Sequence, residues 1–307
     1  MLPKVVCIVG PTSSGKTAYG LALAKRFRGE VINADARQGY KNFTIGTGKP
    51  RNGKTGVYRG SRVFMVEGVP HHLMDFLAPT KIMTVADWRR RALAAIRLIV
   101  KRRHLPIIVG GTGLYTQALV DSYRIPAVPP QIGFRSAMDS KTLDELVAQL
   151  TRLDPSSVKT VDLKNRRRVL RALEVVVYTG KPFADQRQKT KPVSDPLFIG
   201  ITRPREELYR LINEAVDRRI ERGWVEEVRS LLKKGIPSDA PAMTSIGYRE
   251  IAQVIRGEIL LDEAIRLIKQ ATRQYAKRQM TWFRRDQRIQ WVHNEEEAEK
   301  LVRAFLK

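Results

Sequence analysis

The sequence predicts an α/β fold: a parallel sheet covered by helices on both faces and interrupted by a helical insertion. Three observations carry this reading. Short apolar runs alternate with helix-length segments, a glycine-rich loop joins the first run to the first helix, and the stretch from 122 to 196 holds no run suited to a buried strand.

The elements follow in order. Val5–Val9 reads as the first strand and Thr17–Phe27 as the first helix; Glu30–Asp35 is a second strand ending in polar residues, Pro106–Gly110 a third and Leu197–Ile201 a fourth. Ligands of open parallel sheets gather at the carboxyl ends of strands, so sites are expected just after Val9, Asn33 and Val109. Pro126, Pro129 and Pro130 lead into the insertion, with helices expected near 143–153 and 166–178. From Arg205 the chain is mostly helical, with Gln290–His293 as an edge strand before a short charged helix. The expected division is a first part of the core at 1–121, the insertion at 122–196 and a second part of the core at 197–307.

The loop after the first strand, Gly10-Pro11-Thr12-Ser13-Ser14-Gly15-Lys16-Thr17, satisfies G-x-x-x-x-G-K-[ST] in full, which makes the core P-loop NTPase-like. Its backbone N–H groups can wrap a diphosphate, Lys16 adds a point charge, and the Thr17 hydroxyl can hold a Mg²⁺ shared with phosphate oxygens. The motif specifies a polyphosphate and leaves the reaction open.

Composition points to a large polyanion. Lys and Arg number 56 against 31 Asp and Glu, a formal charge of +25, with 43% hydrophobic residues to build a core. Nucleic acid fits such a balance. The single cysteine, Cys7, lies in the first strand, which excludes an internal disulfide or a thiolate metal site and suits a reducing cytoplasm. No apolar stretch has the length of a membrane span, and the expectation is no signal peptide and no membrane partner.

Three further constellations carry chemistry. Asp35-Ala36-Arg37-Gln38, at the end of the second strand, sets a carboxylate, a cation and an amide toward the diphosphate site; Asp35 is the candidate base, or it caps the following turn. Gly110-Gly111-Thr112-Gly113 after the third strand allows close backbone approach and anion binding. Lys164 to Arg171 supplies Arg166, Arg167, Arg168 and Arg171 for phosphate contact, with Arg168 and Arg171 the better suited to a structural role. Arg135 is a further RNA-binding candidate in the insertion. Arg266, Lys269, Arg273 and Lys277 share one helical face, next to a packing face of Ala264, Ile268, Ala271 and Tyr275. Trp282 to Arg285 mix aromatic and basic groups, as stacking on RNA or as core. His71 and His72 are adjacent, without a cluster of ligands around them.

These strings together resemble a family. G-P-T-S-S-G-K-T, D-A-R-Q, I-G-T-G-K-P (45–50), P-H-H-L-M-D (70–75), G-G-T-G-L-Y, R-V-L-R-A-L-E (168–174), I-G-Y-R-E (246–250) and T-R-Q-Y-A-K-R-Q-M-T-W-F-R (272–284) occur in the order found in bacterial tRNA dimethylallyltransferases, and cover nearly the whole chain. The resemblance implies transfer of a dimethylallyl group from dimethylallyl diphosphate to the exocyclic amine of the adenosine beside the anticodon, on its 3′ side. It places Asp35 as base and Thr112 with Lys16 in the reaction channel. Asp35, Ala36, Arg37, Gln38 and Thr112 are then expected at the nucleotide, with Arg135, Arg167, Arg168, Arg171, Arg273 and Lys277 on the anticodon stem-loop. A cytoplasmic monomer using Mg²⁺ is expected.

The chain departs from the family pattern at several positions. Ala36 stands where Ser is usual and Gly39 where Val is usual; Leu211 and Ala215 replace two arginines, and Arg219 replaces a methionine. One missing arginine is expected at the diphosphate. Arg219, one helical turn beyond Ala215, is the candidate replacement, with Arg37 second. Two other readings stay open: a P-loop small-molecule kinase, and a non-catalytic tRNA-binding relative.

Overall fold

The computed structural model describes residues 2–121, 126, 128–187 and 191–307. Eight strands form one sheet: β1 (Lys4–Val9), β2 (Gly29–Asn33), β3 (Gly53–Tyr58), β4 (Ser61–Val66), β5 (Val69–His72), β6 (Leu105–Val109), β7 (Asp195–Ile201) and β8 (Ile289–Val292), in the order β3-β4-β5-β2-β6-β1-β7-β8. From β5 to β8 the strands run parallel, whereas β3 and β4 pair antiparallel. The strand that feeds the phosphate loop, β1, is therefore interior, paired with β6 on one side and β7 on the other.

The helices are α1 (Lys16–Arg26), α2 (Val85–Lys101), α3 (Gly113–Val120), α4 (Ile132–Ala137), α5 (Leu143–Leu153), α6 (Pro155–Val158), α7 (Arg166–Thr179), α8 (Arg205–Glu221), α9 (Trp224–Lys233), α10 (Tyr248–Ile255), α11 (Leu261–Phe283) and α12 (Glu295–Leu306). Alternation along β1 covers both faces of the sheet. Val5, Cys7 and Val9 pack with Trp88 and Ile96 of α2, Leu119 of α3 and Phe283 of α11. Val6 and Ile8 pack with Leu23 of α1 and Val302 of α12. Continuous apolar strands follow from burial on two sides. Cys7 is one of these core residues, and burial pushes its thiol up to about 12.

The antiparallel β3–β4–β5 meander is absent from the sequence expectation. Its signal is two X-Gly pairs, Arg59-Gly60 and Glu67-Gly68, all four at positive φ, the geometry of two-residue hairpin turns.

The chain divides into two compact units, one built from residues up to Val120 and from Val193 onward, the other from Asp121 to Pro192. Asp195 and Pro196, expected in the insertion, pair with Lys4 and Val5 as the start of β7. The expected insertion start at 122 lies outside the described residues. Within the second unit, Leu146 and Leu150 of α5 pack on Val169, Ala172 and Leu173 of α7, and its described residues contain no strand. Thr142 and Glu145 form a capping box on α5, Asn165 caps α7, and Gly180 ends α7 in the left-handed conformation.

Candidate active site

At the carboxyl ends of β1, β2 and β6 lies a cavity of about 350 Å³. Thr12, Ser13, Gly15, Lys16 and Thr17 line it; Gly10, Pro11 and Ser14 form the buried back of the same loop. At Gly10, φ is +143° and a Cβ would sit 2.3 Å from the Ile201 carbonyl oxygen, so no other residue fits the turn. The loop ends at the N-terminus of α1, where unpaired N–H groups and the helix dipole favour an anion. The Lys16 ammonium donates to the Pro11 carbonyl oxygen, and burial lowers its pKa to about 8 against the opposing pull of Asp35.

Asp35 faces this cavity from the segment after β2. Its Oδ1 accepts the backbone N–H groups of Arg37 at 2.8 Å and Gln38 at 3.4 Å, so the residue caps its turn while its carboxylate borders the phosphate loop. Capping the turn does not remove Asp35 from the cavity wall. Thr112 Oγ1 accepts the Ala36 N–H at 3.2 Å, joining the D-A-R-Q and G-G-T-G segments. Gln38 lines the cavity and donates to the carbonyls of Thr47 and Gly48. Arg37 is turned away, donating to the Pro241 carbonyl at 2.9 Å, and does not line the cavity. The second candidate for the missing diphosphate cation is thus engaged elsewhere.

Two residues of α11 join the site without having been singled out for it. Gln279, 5% exposed, accepts the Thr12 N–H at 2.8 Å and donates to the Gly111 carbonyl at 2.9 Å, so one amide ties the phosphate loop to the G-G-T-G loop. A Cβ on Gly111 would meet its Nε2 at 2.1 Å. Tyr275 lies near Asp35 and Thr112; burial, then Asp35, raises its phenol pKa. The packing face of α11 runs through Thr272 and Ala276 rather than Ala271 and Tyr275. Trp282 lies against Gly113 and the core, where a Cβ on that glycine would approach its ring to 2.3 Å.

From α8, Leu211, Ala215, Arg218 and Arg219 line the cavity. Arg219 makes no hydrogen bond or ion pair among the described residues; its guanidinium lies 5.9 Å from the Trp224 ring centre and would come within 2.8 Å of a Cβ on Gly48. Burial lowers its pKa, offset partly by Tyr248 and Asp35. His71 lines the cavity and its Nδ1 pairs with the Val69 carbonyl, while burial lowers its pKa to about 4. His72 points instead to Glu30, which also binds Arg102 and His104.

No group of three or more His, Cys, Asp or Glu side chains suited to a metal exists among the described residues. Mg²⁺ needs fewer protein ligands, since it keeps waters and takes substrate phosphate oxygens. The Thr17 hydroxyl, on the cavity wall, is a hard oxygen donor that fits it.

The basic candidates separate by their partners. Arg135 binds Glu174 through Nε and Nη2, both at 2.9 Å, and Arg171 binds the same buried carboxylate at 2.5 Å and the Val128 carbonyl at 2.8 Å. Their guanidiniums, expected on RNA, are committed to neutralising Glu174, whose pKa falls to about 2 chiefly through Arg135 once burial is overcome. Arg166 donates to backbone carbonyls of Met138 and Lys141, and Arg168 pairs with Asp162 at the surface. Arg167 is exposed, with no side-chain partner among the described residues. On α11, Lys269 and Arg273 turn to Asp217 and Asn213 of α8, leaving Lys277 exposed.

Residues 38–286 match the family described as IPP transferase, and residues 3–71 the one described as isopentenyl transferase. A tRNA dimethylallyltransferase from Thermomicrobium roseum is 43% identical over 94% of this chain and 85% of its own length, and one from Geobacillus thermodenitrificans is 44% identical over 95% and 90%. The full-length tRNA isopentenylpyrophosphate transferase of Bacillus halodurans superposes with a TM-score of 0.69 at 34% identity, over 99% of this chain and 95% of that one. A eukaryotic dimethylallyltransferase solved acting on tRNA gives 0.75 at 28% identity, over 91% and 69%.

Proposed function

This chain belongs to the tRNA dimethylallyltransferase family, and from that premise we propose that it moves a dimethylallyl group from dimethylallyl diphosphate to the exocyclic amine of the adenosine 3′-adjacent to the anticodon. The observation that carries this reading is the single cavity shared by the phosphate loop and Asp35. The glycine-rich loop between β1 and α1 also supports a P-loop NTPase-like core, here turned to holding a leaving group.

The loop N–H groups and Lys16 bind the diphosphate and stabilise the charge that grows on it as the allylic C–O bond breaks. The adenine amine attacks the allylic carbon, forming the N–C bond, and gives up a proton. Asp35 takes it, a role supported by its carboxylate: Oδ1 is held by two N–H groups, while Oδ2 makes no hydrogen bond among the described residues. A base stacked in the anticodon loop has to be extruded to enter such a cavity. Mg²⁺ held by the Thr17 hydroxyl and diphosphate oxygens would neutralise charge on the leaving group. Arg167 and Lys277 serve as phosphate contacts for the RNA, and the protein acts as a cytoplasmic monomer.

The test is mass spectrometry of nucleosides from tRNA incubated with the protein, dimethylallyl diphosphate and Mg²⁺. Unmodified tRNA after prolonged incubation with excess protein rejects the proposal, and phosphate transfer from labelled ATP without a prenyl donor would establish the kinase reading instead. Asp35→Asn should retain tRNA binding and lower kcat by about 10²–10⁴. Lost binding at unchanged kcat refutes the assignment of the base.

A further inference from the structure

Beside the reaction cavity lies a second one of about 380 Å³, lined by Gly48, Lys49, Arg51, Ala215, Arg218, Arg219 and Arg222. Four of these residues, Gly48, Ala215, Arg218 and Arg219, line both. Ala215 is the position where the family pattern sets an arginine, so a methyl group borders both spaces here.

The second cavity is short of negative charge. Lys49 is satisfied by Asp75 and the Tyr40 carbonyl. Arg218 shares Glu214 with Arg210, at 3.4 Å against 2.7 Å. Arg51, Arg219 and Arg222 have no hydrogen-bonded or ion-paired side-chain partner among the described residues. Glu227, the carboxylate acting on Arg222, is already engaged by the N–H groups of Thr44 and Ile45 and by the Tyr248 hydroxyl. The carboxyl end of α8 offsets only about half a charge, against the three guanidiniums without a partner among the described residues. Gathering like charges around a partly enclosed space is unfavourable unless an anion neutralises them.

We propose that this arginine-lined cavity is a second binding site for a diphosphate-class anion, and that it receives the diphosphate after it leaves the phosphate loop. The proposal rests on the prenyl-transfer reading for the source of that anion; the charge deficit and the shared wall stand without it. Arg219, bordering both spaces, is the hand-over point, while Arg51 and Arg222 belong to the second space alone. Arginine suits this role because its planar fork pairs two phosphate oxygens at once.

The experiment is equilibrium binding of inorganic diphosphate with Mg²⁺ at 0.15 M salt, where surface attraction is screened beyond about 8 Å. Two diphosphates per chain are expected for the unaltered protein, one for Arg51→Ala/Arg222→Ala and one for Lys16→Ala. Arg97→Ala/Lys101→Ala on α2, with the same loss of charge, should keep two. In a single turnover, Arg51→Ala/Arg222→Ala should transfer the prenyl group within about twofold of the unaltered protein, because neither residue lines the reaction cavity. One diphosphate per chain in the unaltered protein, or equal losses in the α2 control, overturns the second site. Two diphosphates without any prenyl transfer would uphold the site and refute the reaction, so the two failures are distinguishable.

Discussion

Replacing Gln279 by leucine tests how the site is held. The change keeps the side-chain volume close to constant and removes both hydrogen bonds that join the phosphate loop to the G-G-T-G loop. A buried backbone group left without a partner costs about 1–3 kcal/mol. The Gly111 carbonyl is buried, whereas Thr12 borders the cavity and can recruit water, so the sum is about 2–4 kcal/mol. At roughly 2–4 °C per kcal/mol for a unit of this size, Tm should fall by about 4–16 °C. Loosening the spacing between the two loops should also cost about 10²-fold in the single-turnover transfer rate, the scale of an ångström of misplacement. Gln279→Glu should not rescue either loss, because it keeps an acceptor for Thr12 but sets a second acceptor against the Gly111 oxygen. Calorimetry and quenched-flow measurement of prenylated tRNA read the two effects. A Tm within 1 °C together with a rate within twofold would refute the reasoning.

The remaining expectations concern charge. Because burial lowers the Lys16 pKa from 10.5 to about 8, the unfolded chain binds more protons between those values. The ligand-free protein should therefore gain stability with rising pH across that window relative to Lys16→Met, while diphosphate affinity falls above pH 8; parallel stability curves count against it. In the insertion, Arg135→Ala leaves Glu174 with only part of its neutralisation and should destabilise by about 1–3 kcal/mol in denaturant titration. Glu174 has a lowered pKa, so its stabilisation is present above pH 4.5 and is lost as pH falls toward 2. Arg167→Ala should leave stability unchanged and reduce the log–log salt slope of tRNA binding by about 0.7–0.9; an unchanged slope assigns that arginine to solvent. Arg219→Ala should lower kcat/KM for dimethylallyl diphosphate at least tenfold, near 1.4 kcal/mol, with partial recovery on adding Ala215→Arg. A neutral Arg219→Ala rules out compensation for the missing arginine.

What could be read from the chain depended on whether the informative residues are neighbours in sequence. The phosphate loop, Asp35 and the strands β1, β2, β6 and β7 announce themselves because loop chemistry and apolar runs are local. The meander β3–β5 escaped because β3 is largely exposed and interrupted by Gly53 and Gly56 and β5 is only four residues long and contains Pro70, leaving the two X-Gly turns as a signal. Gln279 escaped for another reason. On α11 it looks like any polar helix residue, and its function exists only once α11 lies against two loops from the first half of the chain. The arginines of the insertion show the converse: their charge is plain in the sequence, but the carboxylate Glu174 that Arg135 and Arg171 share, like the Asp162 partner of Arg168, shows only in the folded second unit, which leaves Arg167 with no side-chain partner among the described residues.

The amide that spans the two loops also sets a clock on the protein's birth. Thr12 and Gln279 are 267 residues apart, so at about 5–20 residues per second a ribosome that has released the phosphate loop needs roughly 13–53 s more to deliver its clamp. Once Thr112 has been made the nascent chain carries Lys16, Asp35 and Thr112, yet the amide that ties the phosphate loop to the G-G-T-G loop is still missing. Activity thus arrives near the end of synthesis rather than growing with chain length. A chain terminated before α11 should be inert toward its diphosphate despite holding every motif of the first half.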